Sequence, residues 1–129
     1  VSPLIEISDI PKNAKTILII ADDPDAMKVA GKIWVHWVVF NIPVLENKSE
    51  LKIAEGEKNL GTEGTTDSNS LNYTGPCPPS GTGAHRYFFK VYAIDNSLDL
   101  KKGATRQEVE KAMKGHILDK SELVGLYSR

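Results

Sequence analysis

GPCPPSGTGAHRYFFKVY, residues 75–92, is a loop crowded with proline and glycine that runs straight into an aromatic, β-branched segment. Pro76, Pro78 and Pro79 fix their own φ angles and bias the residues before them to extended conformations, so the loop costs little chain entropy to hold. Gly75, Gly81 and Gly83 lack Cβ and permit close backbone approach, which would turn backbone N–H groups into a concavity. The alternation that follows is that of a strand. His85, Tyr87, Phe89 and Val91 point one way, and Arg86, Phe88, Lys90 and Tyr92 the other. A stiff loop thus delivers a histidine and a tyrosine to one face of a sheet, although the edge of any β-sandwich carries similar residues.

Working outward, TILIIA at 16–21 is apolar on both faces and reads as a buried strand ending at Asp22-Asp23-Pro24-Asp25. Three carboxylates within these four residues repel one another, and the plain reading is a solvated acidic turn stiffened by Pro24. IWVHWVVFNI at 33–42 is the strongest strand signal in the chain. Strict alternation puts Trp34, His36, Val38 and Phe40 on one face and Ile33, Val35, Trp37 and Val39 on the other. A lone histidine there is ordinarily a core residue with one hydrogen bond satisfied.

The opening residues 1–15, with Pro3 and Pro11, read as an edge strand and turn. Residues 43–73 are polar, dotted with Leu45, Leu51, Leu60 and Leu71 that would pin them to the body; a loop of that length implies a function or short hidden elements. Thr105-Arg106-Gln107-Glu108 fits a capping box, predicting a helix over 106–114 with Val109, Ala112 and Met113 inward and Gly115 as the residue that ends it. His116 follows as a structural residue, and the tail reads as a turn and a last strand at 123–127.

A chain of 129 residues with 40% hydrophobic content is enough for one domain with its own core. The net charge of -1 gives no global field for nucleic acid or anionic membrane, so any anion site must be local. A single cysteine, Cys77, excludes an internal disulfide. With no signal-like opening, the expected location is cytoplasmic. No apolar run is long enough for a transmembrane segment.

Asp23, Asp25, His36 and His85 are the residues from which a site would be made. Their spacing follows no metal-ligand motif, and no metal or cofactor is expected. Cys77 activated by His85 would be a nucleophile, but it is wedged between prolines with no helix N-terminus to lower its pKa. The remaining chemistry is an anion pocket: His36, His85, the Tyr87 hydroxyl and amides near Gly75 as donors, Trp34 as a wall, and the carboxylates orienting the imidazoles or binding an attached amine. Anion affinity at such a histidine pair should rise below neutrality.

These residues carry a resemblance. Asp23-Pro24-Asp25-Ala26, Trp34-Val35-His36-Trp37, GPCPPSG with His85-Arg86-Tyr87, and the GATRQEVEKAMKGHIL and ELVGLYSR tail stand in the order of the phosphatidylethanolamine-binding protein family, which includes Raf kinase inhibitor protein and bacterial and archaeal relatives. The resemblance covers nearly the whole chain. It implies a mainly β fold, an antiparallel β-sandwich with a short C-terminal helix. It implies a ligand-binding pocket for a phosphate-bearing small molecule or phospholipid head group, made by Asp23, Pro24, Asp25, Trp34, His36, Gly75, Pro76, His85 and Tyr87. It also implies action without catalysis, as an inhibitor of partner proteins such as a protein kinase or a serine protease. Two alternatives stand beside it: a serine protease inhibitor of chymotrypsin or elastase type working through the loop 43–73, and a hydrolase using the His/Asp cluster. This sequence departs from the family in having Met27 where proline commonly follows the acidic turn. It also has TDSNSLNY in place of the usual Gly-Asn-Asp-aromatic-Gly stretch, and a shorter opening segment.

Overall fold

The structure, a computed structural model, describes residues 5–23, 34–45, 49–53, 61–67 and 85–127. Its centre is β2 (Thr16–Asp23), all eight residues of which are buried. β2 pairs antiparallel with β3 (Trp34–Pro43) on one side and β6 (His85–Ile94) on the other. β5 (Thr62–Glu63) extends the sheet beyond β3, and β7 (Ile117–Tyr127) beyond β6, giving the order β5-β3-β2-β6-β7. A separate antiparallel pair is formed by β1 (Ile5–Ile7) and β4 (Leu51–Ile53).

Each face of the large sheet buries its own cluster, because β2 and β3 are apolar on both sides. Over one face, Ile17, Ile19, Ala21, Trp37, Val39 and Ile42 meet Ile5 and Ile53 of the two-stranded layer, which makes the fold a mainly β, sandwich-like arrangement. Over the other, Leu18, Ile20, Val35, Val38 and Phe40 meet Val109 and Met113 of α1 (Arg106–Met113). That helix forms as its sequence predicts. Thr105 Oγ1 accepts from Glu108 N at 3.2 Å, the Glu108 carboxylate accepts from Thr105 N at 3.0 Å, and Gly115 adopts φ +84° just past the end. His116 Nδ1 lies 2.8 Å from Asp95 Oδ1, fastening the helix exit to the end of β6. Among the described residues, no helix is long and apolar enough to cross a membrane.

Three expectations are corrected. Asp22 and Asp23 are not in a solvated turn: they continue β2 and are 1% and 3% exposed. The last strand starts at Ile117 rather than Leu123. Its first half, paired with β6 through Lys90↔Glu122 and Tyr92↔Lys120, is solvent-facing, so it carries the polar composition of a turn while still supplying backbone partners. Residues 43–73 contain β4 and β5, and Leu51 packs against the core, but Leu45 is 65% exposed and pins nothing. Leu60, Leu71 and Cys77 lie outside the described residues.

Candidate functional site

The strand register brings the expected residues to one end of the sheet. Asp23, the last residue of β2, pairs with Trp34 at the start of β3. On the other side, β2 pairs with β6 up to Asp22↔Phe88, so the next position along sets Asp23 across from Tyr87. His85 lies two residues further along β6, paired with Tyr127 of β7.

His36 reaches this place through an irregularity. The β2–β3 register runs Ala21↔Trp37 and then Asp22↔Val35, so β3 spends one extra residue there, and His36 is the position the register skips. This is a β-bulge, and it breaks the strict alternation expected for residues 33–42. Val35, Val38 and Phe40 belong to the helix-side cluster, whereas Trp37 and Val39 belong to the other. His36 does not share the face of Val38 and Phe40; its ring meets that of Tyr87 edge-on, with centroids 5.2 Å apart at 64°. Tyr87 alternates in phase with Phe89 and Val91, which pack on the cluster under the two-stranded layer.

Strands two apart in a sheet are separated by roughly 9.5 Å. Rings on β3 and β6 with centroids 5.2 Å apart must therefore lean over β2. They have room because β2 presents the small Ala21 there, followed by Asp23. His36 and Tyr87 are each 7% exposed, and Asp23, 3% exposed, closes β2 at this same end of the sheet, so an imidazole, a phenol and a carboxylate are all nearly buried at one corner of it. Edge-to-face rings at this spacing hold each other's orientation.

The neighbouring Asp22 points to the opposite face. Its carboxylate lies 3.1 Å from Lys90 Nζ and 3.4 Å from Arg106 Nη2, and Arg106 Nε is in turn 3.1 Å from Glu110 Oε1. Two cations from β6 and α1 thus compensate a buried charge and tie down the end of β2 from behind. Sequence reasoning did not find these partners, because a lysine and an arginine 16 residues apart in different elements carry no local signal.

Asp67 was missed as well. Its Oδ2 accepts from Val35 N at 2.6 Å, and its own N–H donates to Val35 O at 3.0 Å, beside the bulge. It lies inside the stretch that departs from the family pattern, where nothing in the sequence marks it. Of the expected site, His36 and Tyr87 are brought into ring contact, and Asp23, Trp34 and His85 are placed by strand position. Pro24, Asp25, Gly75 and Pro76 lie outside the described residues. Among the described residues, no cluster of three or more His, Cys, Asp or Glu could hold a metal ion.

Comparison with known proteins adds three findings. The family model for phosphatidylethanolamine-binding proteins matches residues 1–128. The UPF0098 protein of Methanothermobacter thermautotrophicus is 44% identical over 100% of this chain and 83% of its own length. That of Pyrococcus abyssi is 48% identical over 100% of this chain and 72% of its own. Among solved structures, a phosphatidylethanolamine-binding protein homologue from Chlamydia trachomatis superposes with TM-score 0.86 at 35% identity, covering 99% of this chain and 81% of that one. Escherichia coli YbcL, described as a new member of the mammalian family, superposes with TM-score 0.84 at 27% identity, covering 99% and 80%.

Proposed function

Since this chain belongs to the phosphatidylethanolamine-binding protein family, we propose that it is a non-enzymatic binding protein whose corner at Asp23, His36 and Tyr87 takes a phosphate or a phospholipid head group, and that it regulates partner proteins by occupying them. The observation that carries the reading is the ring pair of His36 and Tyr87, 5.2 Å apart over the end of β2 beside a buried aspartate. A histidine and a tyrosine held edge-on have few rotamers left to lose, so ligand binding there costs little ordering entropy. An imidazole and a phenol donate to an anion, while a nearby carboxylate suits the amine that a head group such as ethanolamine carries. Pro24, Asp25, Trp34, Gly75, Pro76 and His85 complete the pocket in this reading. A protein kinase or a serine protease is the class of partner that the family suggests.

Titration with O-phosphoethanolamine, followed by NMR, tests it. Saturable shifts are expected at the His36, Tyr87, His85 and Trp34 rings and not across β7. His36→Ala should weaken binding about tenfold or more, the effect of losing one hydrogen bond to a charged group. Absence of any shift at millimolar ligand would overturn the pocket.

A further inference from the structure

We infer that Asp67 is a positioning residue for His36: its carboxylate locks the bulge in β3 and so sets which face of the sheet receives the imidazole. The sign of this is on the outer edge of β3. Gly64 N donates to Val38 O at 2.8 Å, and in an unbroken strand the next backbone groups facing that edge would be those of His36, two residues on. Instead the next bond runs from Asp67 N to Val35 O at 3.0 Å, three residues on. The parity of the edge switches between Val38 and Val35, the same place where the β2 register skips His36.

At this switch β5 has already ended, and a side chain takes over the ladder. Asp67 Oδ2 accepts from Val35 N at 2.6 Å, so one residue satisfies both backbone groups of Val35. The shortness fits a charge-assisted bond, among the stronger hydrogen bonds a protein makes. Asp67 is itself held in place. Thr65 N and Thr65 Oγ1 donate to Ala104 O and Gly103 O at 2.9 and 2.7 Å, and Gly103 N donates to Glu63 O at 2.9 Å. At Gly64 a Cβ would fall 2.5 Å from Ala104 O and 2.8 Å from Val38 Cγ1, so only glycine lets the segment run this close to β3.

The competing arrangement is the unbulged strand with strict alternation. A one-residue slip moves side chains to the opposite face. His36 would then join Val38 and Phe40 on the helix side, away from Tyr87 and Asp23. An anchor at Val35 that fits only the bulged strand selects between the two.

The test compares wild type, Asp67→Ala and Asp67→Asn by amide hydrogen exchange, by through-space NMR contacts between the His36 and Tyr87 rings, and by O-phosphoethanolamine titration. The titration rests on the binding reading above; the exchange and ring-contact measurements do not. In Asp67→Ala, Val35 amide exchange should rise about tenfold relative to amides of β6, the ring contact should be lost, and affinity should fall about tenfold. Asp67→Asn keeps an acceptor in place but loses its charge, and should give values between those of wild type and Asp67→Ala. Retention of Val35 protection and of the ring contact in Asp67→Ala overturns the inference. So does a loss of protection spread evenly over β6 and β7, which would mark an ordinary stability effect. If the alanine variant does not fold, Asp67→Asn decides alone: Val35 protection below wild type with β6 unchanged supports the inference, and unaltered Val35 protection overturns it. A wild type with the ring contact intact but no response to phosphoethanolamine would defeat the binding reading, while the exchange comparison would still decide the role of Asp67.

Discussion

Asp22 and Asp23 are neighbours in sequence, both buried: Asp22 faces Lys90 and Arg106 under the helix, while Asp23 closes β2 opposite Trp34, at the end of the sheet where His36 meets Tyr87. The charged group behind the sheet includes Tyr92, partly buried against the helix-side core. Burial raises the Tyr92 pKa above its ordinary value; Lys90 and Arg106 pull it down, while Glu110 and Asp22 push it up. A raised folded-state pKa means that the unfolded chain loses the phenolic proton first as pH climbs. Stability from this group is therefore whole below about pH 10 and declines as pH rises through the folded value. Tyr92→Phe has no proton to lose, so its stability should fall less steeply above about pH 10 than that of wild type in urea unfolding at stepped pH. Parallel slopes would show that the phenol does not contribute to the alkaline loss.

Among the elements, α1 has only eight residues, too few to be stable in isolation, so its cap and its buried stripe must both contribute. Thr105→Ala removes the acceptor for Glu108 N and should lower unfolding free energy by about 1 kcal/mol, with faster exchange at the Glu108 amide. No change in either would mean that packing of Val109 and Met113 alone holds the helix. This helix was legible in the sequence because its signals are local: a capping box, a stripe and a terminal glycine. The strand at 85–94 and the first six residues of β2, 16–21, were legible for the same reason, by their apolar runs and alternation; the last two residues of β2 were not, because two aspartates carry the composition of a turn. The bulge at His36 was not. In a strand apolar on both faces, an extra residue leaves the hydrophobic pattern intact, and only hydrogen-bond parity against β2 and Asp67 reveals it. Likewise Asn41, at φ +57°, hides a second irregularity between the Ile17↔Ile42 and Ile19↔Val39 pairs, its side chain bonded to Leu98 N at 2.7 Å and Leu98 O at 2.9 Å. The contact of His36 with Tyr87 joins two residues that the sequence had singled out from different strands. The side chains that hold the frame, Asp67, Lys90 and Arg106, could not be singled out, because their partners are 32 to 84 residues away.

At the scale of the whole molecule, β2 belongs to both cores at once. Leu18 and Ile20 serve the cluster under the helix, Ile17 and Ile19 the cluster under the two-stranded layer, and Leu18 and Ile19 are both 0% exposed. Two hydrophobic clusters that share a backbone cannot be unpacked one at a time without unpairing the strand between them. Leu18→Ala and Ile19→Ala remove packing from opposite sides of the same sheet. Each should lower stability by about 2–5 kcal/mol, as buried leucine or isoleucine truncations do. Each should also leave one cooperative urea transition, seen identically by tryptophan fluorescence and far-ultraviolet circular dichroism. If Ile19→Ala instead split the curve, with the signal of Trp37 moving ahead of the helical signal, the two-stranded layer would be a separately unfolding unit. The corner formed by His36, Tyr87 and Asp23 would then open with it, because that corner stands on the same face as Ile19. A single transition ties the geometry of the corner to the stability of both cores, so truncation on the helix side, far from any ligand, should also weaken phosphoethanolamine binding once the folded population falls.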